Sequence, residues 1–203
     1  MGNIEIGISL QDALTPAGAS QISPFGGVVL SACLFGHNFN HLHQRGPNER
    51  PDDLQNGEFW KRHRNMDNIL SNTFMFLPDH LRLPFGLRDM NVVFLHMNIH
   101  AATICLHQAA ILTAKNHGID TSFIKRCRAR SLMAAEEITT IMRLITHLNA
   151  SSMNSWVGFC LYVASSVFIQ DMRIGTKRPE SYTNLEFLLA AMKAIGKWVS
   201  FEP

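Results

Sequence analysis

The stretch DMNVVFLHMNIHAATICLHQAAILTAKN, residues 89–116, decides the fold. Val92, Val93, Leu95, Met97, Ile99, Ala101, Ala102, Ile104, Leu106, Ala109 and Ile111 fall on nearly every face of a helix drawn through it. A helix that is apolar all round has no side to offer water and belongs in the middle of a bundle. The spacing therefore predicts one central buried helix over about 89–116, with other helices packed around it.

Proline sets the frame on either side. It lacks an amide proton and clashes with the preceding turn, so it marks where helices cannot run through. Pro16, Pro24, Pro47, Pro51, Pro78 and Pro84 precede the central stretch, and none follows until Pro179. Period 3.6 recurs in the flanks. Phe59, Trp60, His63, Met66, Leu70, Thr73, Phe74 and Leu77 form one stripe, with Lys61, Arg64 and Asn68 off it. Cys127, Ala134, Ile138, Ile141, Ile145 and Leu148 form a second, set against Arg128, Glu136, Glu137 and Arg143. A third is Leu185, Leu188, Met192, Ile195 and Val199. No run of strict alternation appears, so the fold class is all-α, an irregular multi-helix bundle.

Start signals accompany two of these helices. Ser23 and Pro24 fit a cap and first turn for a helix over 24–41. Thr183 and Glu186 have the spacing of a capping box, with Tyr182 and Phe187 as its hydrophobic staple. Residues 1–21 read as a weakly ordered N-terminal segment, 22–200 as one helical domain, and 43–57 as an exposed polar loop. Residues 151–170 carry no charged side chain, yet five serines and Asn154 interrupt them. A buried helix explains them better than a membrane span.

Composition narrows the function classes. The chain has 203 residues, enough for about one domain, with 46% hydrophobic and 17% charged residues. A net charge of +2 lacks the basic excess that phosphate neutralisation requires, which argues against direct DNA contact. Cys33, Cys105, Cys127 and Cys160 are widely separated and form no C-x2-C pair, so buried, reduced thiols are expected. No G-x-S-x-G elbow, phosphate loop or dinucleotide fingerprint occurs. Cys105 and His107 lie two apart on a helix and face different ways, so no enzyme is expected.

Ten histidines is a high count. His96, His100 and His107, with Thr103 among them, project along one line of the central helix and form a polar seam. Unpaired imidazoles are costly in a core, so each is expected either to hydrogen-bond a neighbouring helix or loop end or to belong to a ligand-recognition strip, with His96, His100, Thr103 and His107 as the candidate residues. Two imidazoles at i, i+4 can also chelate zinc, but no third ligand is visible nearby and no metal is assigned to the chain. His37, His41 and His43 are expected as solvated groups at a helix end. His63, on the apolar stripe, and Cys127 divide the basic runs Lys61, Arg62, His63, Arg64 and Lys125, Arg126, Arg128, Arg130, whose charged residues read as solvated helix faces with some partner contact.

Three runs in order, FWKRHRNMDNILSNTFMFLPDHLRLP (59–84), NIHAATICLHQAAI (98–111) and TNLEFLLAAMKAIGKW (183–198), resemble the regulatory, or middle homology, domain of fungal binuclear zinc-cluster transcription factors of the xylanolytic-activator kind. The resemblance covers about residues 22–199. It implies a nuclear, non-enzymatic regulatory domain that answers to a small-molecule effector or a regulatory protein, with a homodimer as a further expectation and no membrane. In that family, zinc and DNA contact belong to an N-terminal cluster of six cysteines, which the four scattered cysteines here cannot make. The stretch also starts later than a full regulatory domain of the family, as a partial one would. Two other readings compete: an intracellular metal-binding protein or enzyme using His96, His100 and His107, and a pure dimerisation module.

Overall fold

The computed structural model describes residues 22–44, 46, 49–146, 156–175 and 178–199, with side chains as far as residue 196. Within them lie six helices: α1 (Pro24–His43), α2 (Glu58–Met75), α3 (Met90–Asn116), α4 (Thr121–Leu144), α5 (Trp156–Arg173) and α6 (Pro179–Val199). Two 3-10 turns, Asp79–Leu81 and Phe85–Arg88, carry the chain from α2 into α3. No strand occurs among the described residues, and the chain is all-α as its periodicity requires. The expected N-terminal segment 1–21 lies outside the described residues, as do Leu148 and the side chain of Val199.

Helix α3 is the axis of the bundle. It packs on α1, α2, α4 and α5, and 15 of its 27 residues are buried. Three core clusters surround it, and each takes residues from α3. Val93, Met97, Ala101 and Ile104 join the cluster built with α4, α5 and α6. Val92, Leu95, Ile99, Ala102 and Leu106 join one built with α1, α2 and the 3-10 turns. Ala110, Ile111 and Ala114 join a third around Trp60, Ile124 and Cys127. Apolar residues on every side of one helix thus become three separate interfaces.

The N-terminal caps of α1 and α3 use short polar side chains. Ser23 Oγ accepts from the Gly26 amide at 3.0 Å, and Asp89 Oδ1 accepts from the Asn91 amide at 2.9 Å. Each satisfies one amide that the first turn leaves free. The expected capping box of α6 does not form. Helix α6 begins at Pro179, so Thr183 lies inside it and its hydroxyl donates back to the Pro179 carbonyl at 3.3 Å. Proline tolerates the first turn of a helix, and it extends α6 by one turn over the sequence reading. Glu186 interacts with Tyr182 instead of an amide, and Tyr182 is exposed, so the staple is absent too. Phe187 lies beneath the Arg143 guanidinium, 4.5 Å from carbon to ring centroid.

Helix α1 approaches α3 closely at Gly27, where a Cβ would stand 3.0 Å from Leu95 Cδ2. Asn38 Nδ2 donates to the Ala102 carbonyl at 2.9 Å and ties the same pair of helices farther along. The described part of segment 43–57 is strapped to α2 rather than free in solvent. The Trp60 indole donates to the Pro51 carbonyl at 2.8 Å, Arg64 donates to the carbonyls of Leu54 and Gln55, and Arg62 pairs with Glu49 at 2.7 Å. Arg62 and Arg64, read from sequence as a solvated basic face, are spent on this strap. Gly57 ends it: a Cβ there would lie 2.2 Å from the Arg50 carbonyl oxygen, so only glycine fits. Helix α5 is buried through Leu161, Ala164 and Phe168, and no described helix is long and apolar enough to cross a membrane.

Candidate functional site

The seam expected from sequence divides into three environments. His96 is buried, and its Nε2–H donates to the Leu81 carbonyl at 2.7 Å. Its imidazole is held below its ordinary pKa by burial, which the carbonyl bond opposes. His100 and Thr103 face an open cleft, where no hydrogen bond to the described residues is formed by His100 and its ring meets Phe74 at 5.2 Å between ring centroids. Burial, followed by neighbouring His96, lowers the His100 pKa to about 3, so the ring is neutral at pH 7. His107, two turns beyond His100, faces α2 and α4 in a separate group. The three histidines do not converge on one point.

The cleft lies between α2, α3 and α4 and measures about 340 Å3, at the small end of ligand sites. Leu70, Ile99 and Ala134 form its apolar base, while Phe74, Met75 and Met133 form a rim exposed at 40%, 64% and 61%. Polar groups converge on it sparingly: the His100 ring, the Ser71 and Thr103 hydroxyls, and the opposed charges of Arg130 and Glu137. Thr103 spends its proton on the Ile99 carbonyl at 2.9 Å, so it meets a guest as an acceptor. Arg130 is fixed by Asp67 Oδ1 and Ser71 Oγ, both at 2.9 Å. A larger opening of about 530 Å3 between α3, α4 and α5 is spanned by the Gln170–Gln108 side-chain bond and shares no residue with the seam.

The environment of His107 was not visible in the sequence. Its ring stands edge-on to His63 of α2 at 5.3 Å between centroids, and Cys127 of α4 lies beside both. Ligand atoms from His63, His107 and Cys127 lie within 4.8 Å of one another, and all three residues are buried. Nε2 of His107 is 3.2 Å from Asp67 Oδ1, at ion-pair distance but without the alignment of a hydrogen bond. Nδ1 of His107 and Nδ1 of His63 have no partner. Burial, then His107, lowers the His63 pKa to about 3, and burial followed by the Asp67 charge raises the Cys127 thiol to about 11. Burial raises the Asp67 carboxyl, but the Arg130 hydrogen bond and charge, with His107 at ion-pair distance, outweigh it and hold the group well below the usual carboxylate range.

The histidines at the end of α1 also part company. His37 and His43 are exposed, as expected, and His43 Nδ1–H donates to the Phe39 carbonyl at 2.9 Å. His41 is buried instead, stacked near Phe59, with both ring nitrogens unpartnered. Burial, then Arg62, lowers its pKa to about 4. It is inside because α2 packs against it through Phe59 and His63, a long-range event with no local signature.

Similarity to known proteins supports a class of function. The chain is 25% identical over 150 residues to a citrinin biosynthesis transcriptional activator of Monascus ruber, mrl3, and equally to one of Monascus purpureus, ctnR. The matched stretch is 73% of this chain but only 29% and 25% of those two proteins. No family model matches the sequence, and no solved structure does. The chain is thus distantly similar to fungal transcriptional activators, and transcription regulation is the class of function this supports.

Proposed function

We propose that the chain is part of an effector-responsive regulatory domain of a fungal zinc-cluster transcription factor, acting in the nucleus without touching DNA itself. The observation that carries this reading is the similarity to two transcriptional activators over most of the chain. The cleft supplies a place for the effector, and His100 is its one neutral imidazole without a protein partner. A small, mainly apolar molecule with a hydrogen-bonding group fits the base of Leu70, Ile99 and Ala134 and meets His100, Thr103 and Arg130 at one side. Catalysis draws no support from Cys105, since burial raises its pKa to about 11 and leaves the thiol protonated.

The test is a fusion of this chain to a heterologous DNA-binding domain and an activation segment, read by a reporter gene. An effector-responsive domain makes the reporter respond to fungal culture conditions, and His100→Leu abolishes the response while leaving fusion abundance unchanged. A reporter that is constitutive in both forms rejects the regulatory role. Self-association is a second reading, favoured by the outer face of α1, where Phe25, Val29 and Phe39 are exposed at 67%, 49% and 54%. It requires a mass that rises with concentration in sedimentation equilibrium, and a monomer throughout would dismiss it.

A further inference from the structure

We infer that His63, His107 and Cys127 form a binding site for a thiophilic divalent cation of the zinc class, with Asp67 as the residue that orients His107. This site is distinct from the cleft and does not depend on the regulatory reading.

The donor set is the first support. Two imidazoles and a thiol from three different helices place their ligand atoms within 4.8 Å of one another. Zinc bound at about 2.0–2.1 Å to nitrogen and 2.3 Å to sulfur separates tetrahedral donors by about 3.3–3.6 Å. Side-chain rotations of roughly 1 Å close that gap. A mixed nitrogen and sulfur set favours zinc over magnesium or calcium, which take oxygen.

Unsatisfied polarity is the second support. His63 and His107 are each 4% exposed or less in their side chains or as whole residues, and Nδ1 of both lacks a partner. A buried nitrogen without a hydrogen bond costs about 1–3 kcal/mol, and two such atoms side by side are an expensive way merely to fill space. The surrounding Trp60 and Phe123 meet His63 through ring contacts. A metal ion satisfies both nitrogens at once.

The third support is Asp67. Its Oδ1 lies 3.2 Å from Nε2 of His107, which leaves the unpartnered Nδ1 as the nitrogen available to a metal. A ligating histidine commonly gives its other ring nitrogen to a carboxylate, which fixes the tautomer and makes the ligating nitrogen more basic. Binding forms the metal–thiolate bond as the Cys127 Sγ–H bond breaks, and the proton leaves to solvent. With three protein ligands, the fourth position falls to a water molecule.

The experiment uses the full 203-residue chain, purified without a polyhistidine tag and loaded with cobalt(II) as a spectroscopic probe for zinc. A tetrahedral site gives intense visible ligand-field bands and a thiolate-to-cobalt charge-transfer band, at one equivalent of metal. Cys127→Ser removes the charge-transfer band, and Cys105→Ser, outside the cluster, keeps it. Asp67→Asn leaves the band in place but weakens cobalt affinity by about 10- to 100-fold. Absence of the charge-transfer band in the unsubstituted protein, or its persistence in Cys127→Ser, overturns the site. Zinc-edge X-ray absorption of the unsubstituted chain guards against a variant that does not fold. One sulfur and two imidazole nitrogens around zinc support the site, and a shell of oxygen and nitrogen alone overturns it.

Discussion

Histidine is the residue that gives this molecule its chemical character, because burial decides what each copy can do. His96 and His100 on α3 are both held neutral, and the sign of the consequence is fixed. Their folded pKa values lie below the unfolded value of about 6.5, so the unfolded chain binds more protons as the pH falls. Their contribution to stability is full above about pH 6.5 and is lost progressively as the pH falls toward about 3. Groups around His100 are its neighbour His96 and, across the cleft, Arg130 and Glu137. Solvent in the cleft trims the effect, so His100 is expected to contribute about 1–2 kcal/mol over this range. Thermal unfolding should show a melting temperature that falls between pH 7 and 4.5, with a shallower fall in His100→Leu. Identical slopes in the two proteins would refute this account. The polar seam itself was legible in the sequence, because periodicity places His96, His100 and His107 on one line. Their fates were not, since Leu81, Phe74 and Asp67 reach them from other elements.

At the scale of the helix, local patterns were informative wherever local forces decide. The cap of α1 at Ser23 and the stripe of α2 follow from sequence because each depends on residues within a turn or two. The start of α6 did not follow, because two start signals compete within one short span: Pro179 with its fixed φ, and Thr183 with Glu186. The earlier signal prevails, and Thr183 becomes an exposed residue within a helix. Thr183→Ala should then change stability by less than about 0.5 kcal/mol, since alanine's better helix propensity offsets the lost bond to Pro179. A cap would make the same change cost roughly 0.5–2 kcal/mol. The urea midpoint of the variant distinguishes the two, and a loss above 1 kcal/mol would restore the cap.

The whole molecule is organised by a shared wall. Each of the three core clusters includes residues of α3, so none can disperse without exposing apolar surface on that helix. Cooperative unfolding follows from such sharing. Far-ultraviolet circular dichroism, which follows the helices, and tryptophan emission, which follows Trp60 in the third cluster together with Trp156 and Trp198, should trace one coincident transition. Two separated midpoints would mean that α3 does not link its neighbours energetically. The all-α architecture could be read from the central stretch because a helix apolar on every side has only one place to go. The meeting of His63, Asp67, His107 and Cys127 could not, since it depends on how α2 and α4 are set against α3.

That meeting point also joins the two sites. Asp67 offers one carboxylate to two claimants, His107 on the cluster side and Arg130 on the cleft side. If both sites are filled, they are bound by thermodynamic reciprocity. A guest in the cleft that draws Arg130 away from Asp67 alters the grip on a metal by some factor, and the metal must alter the grip on the guest by the same factor.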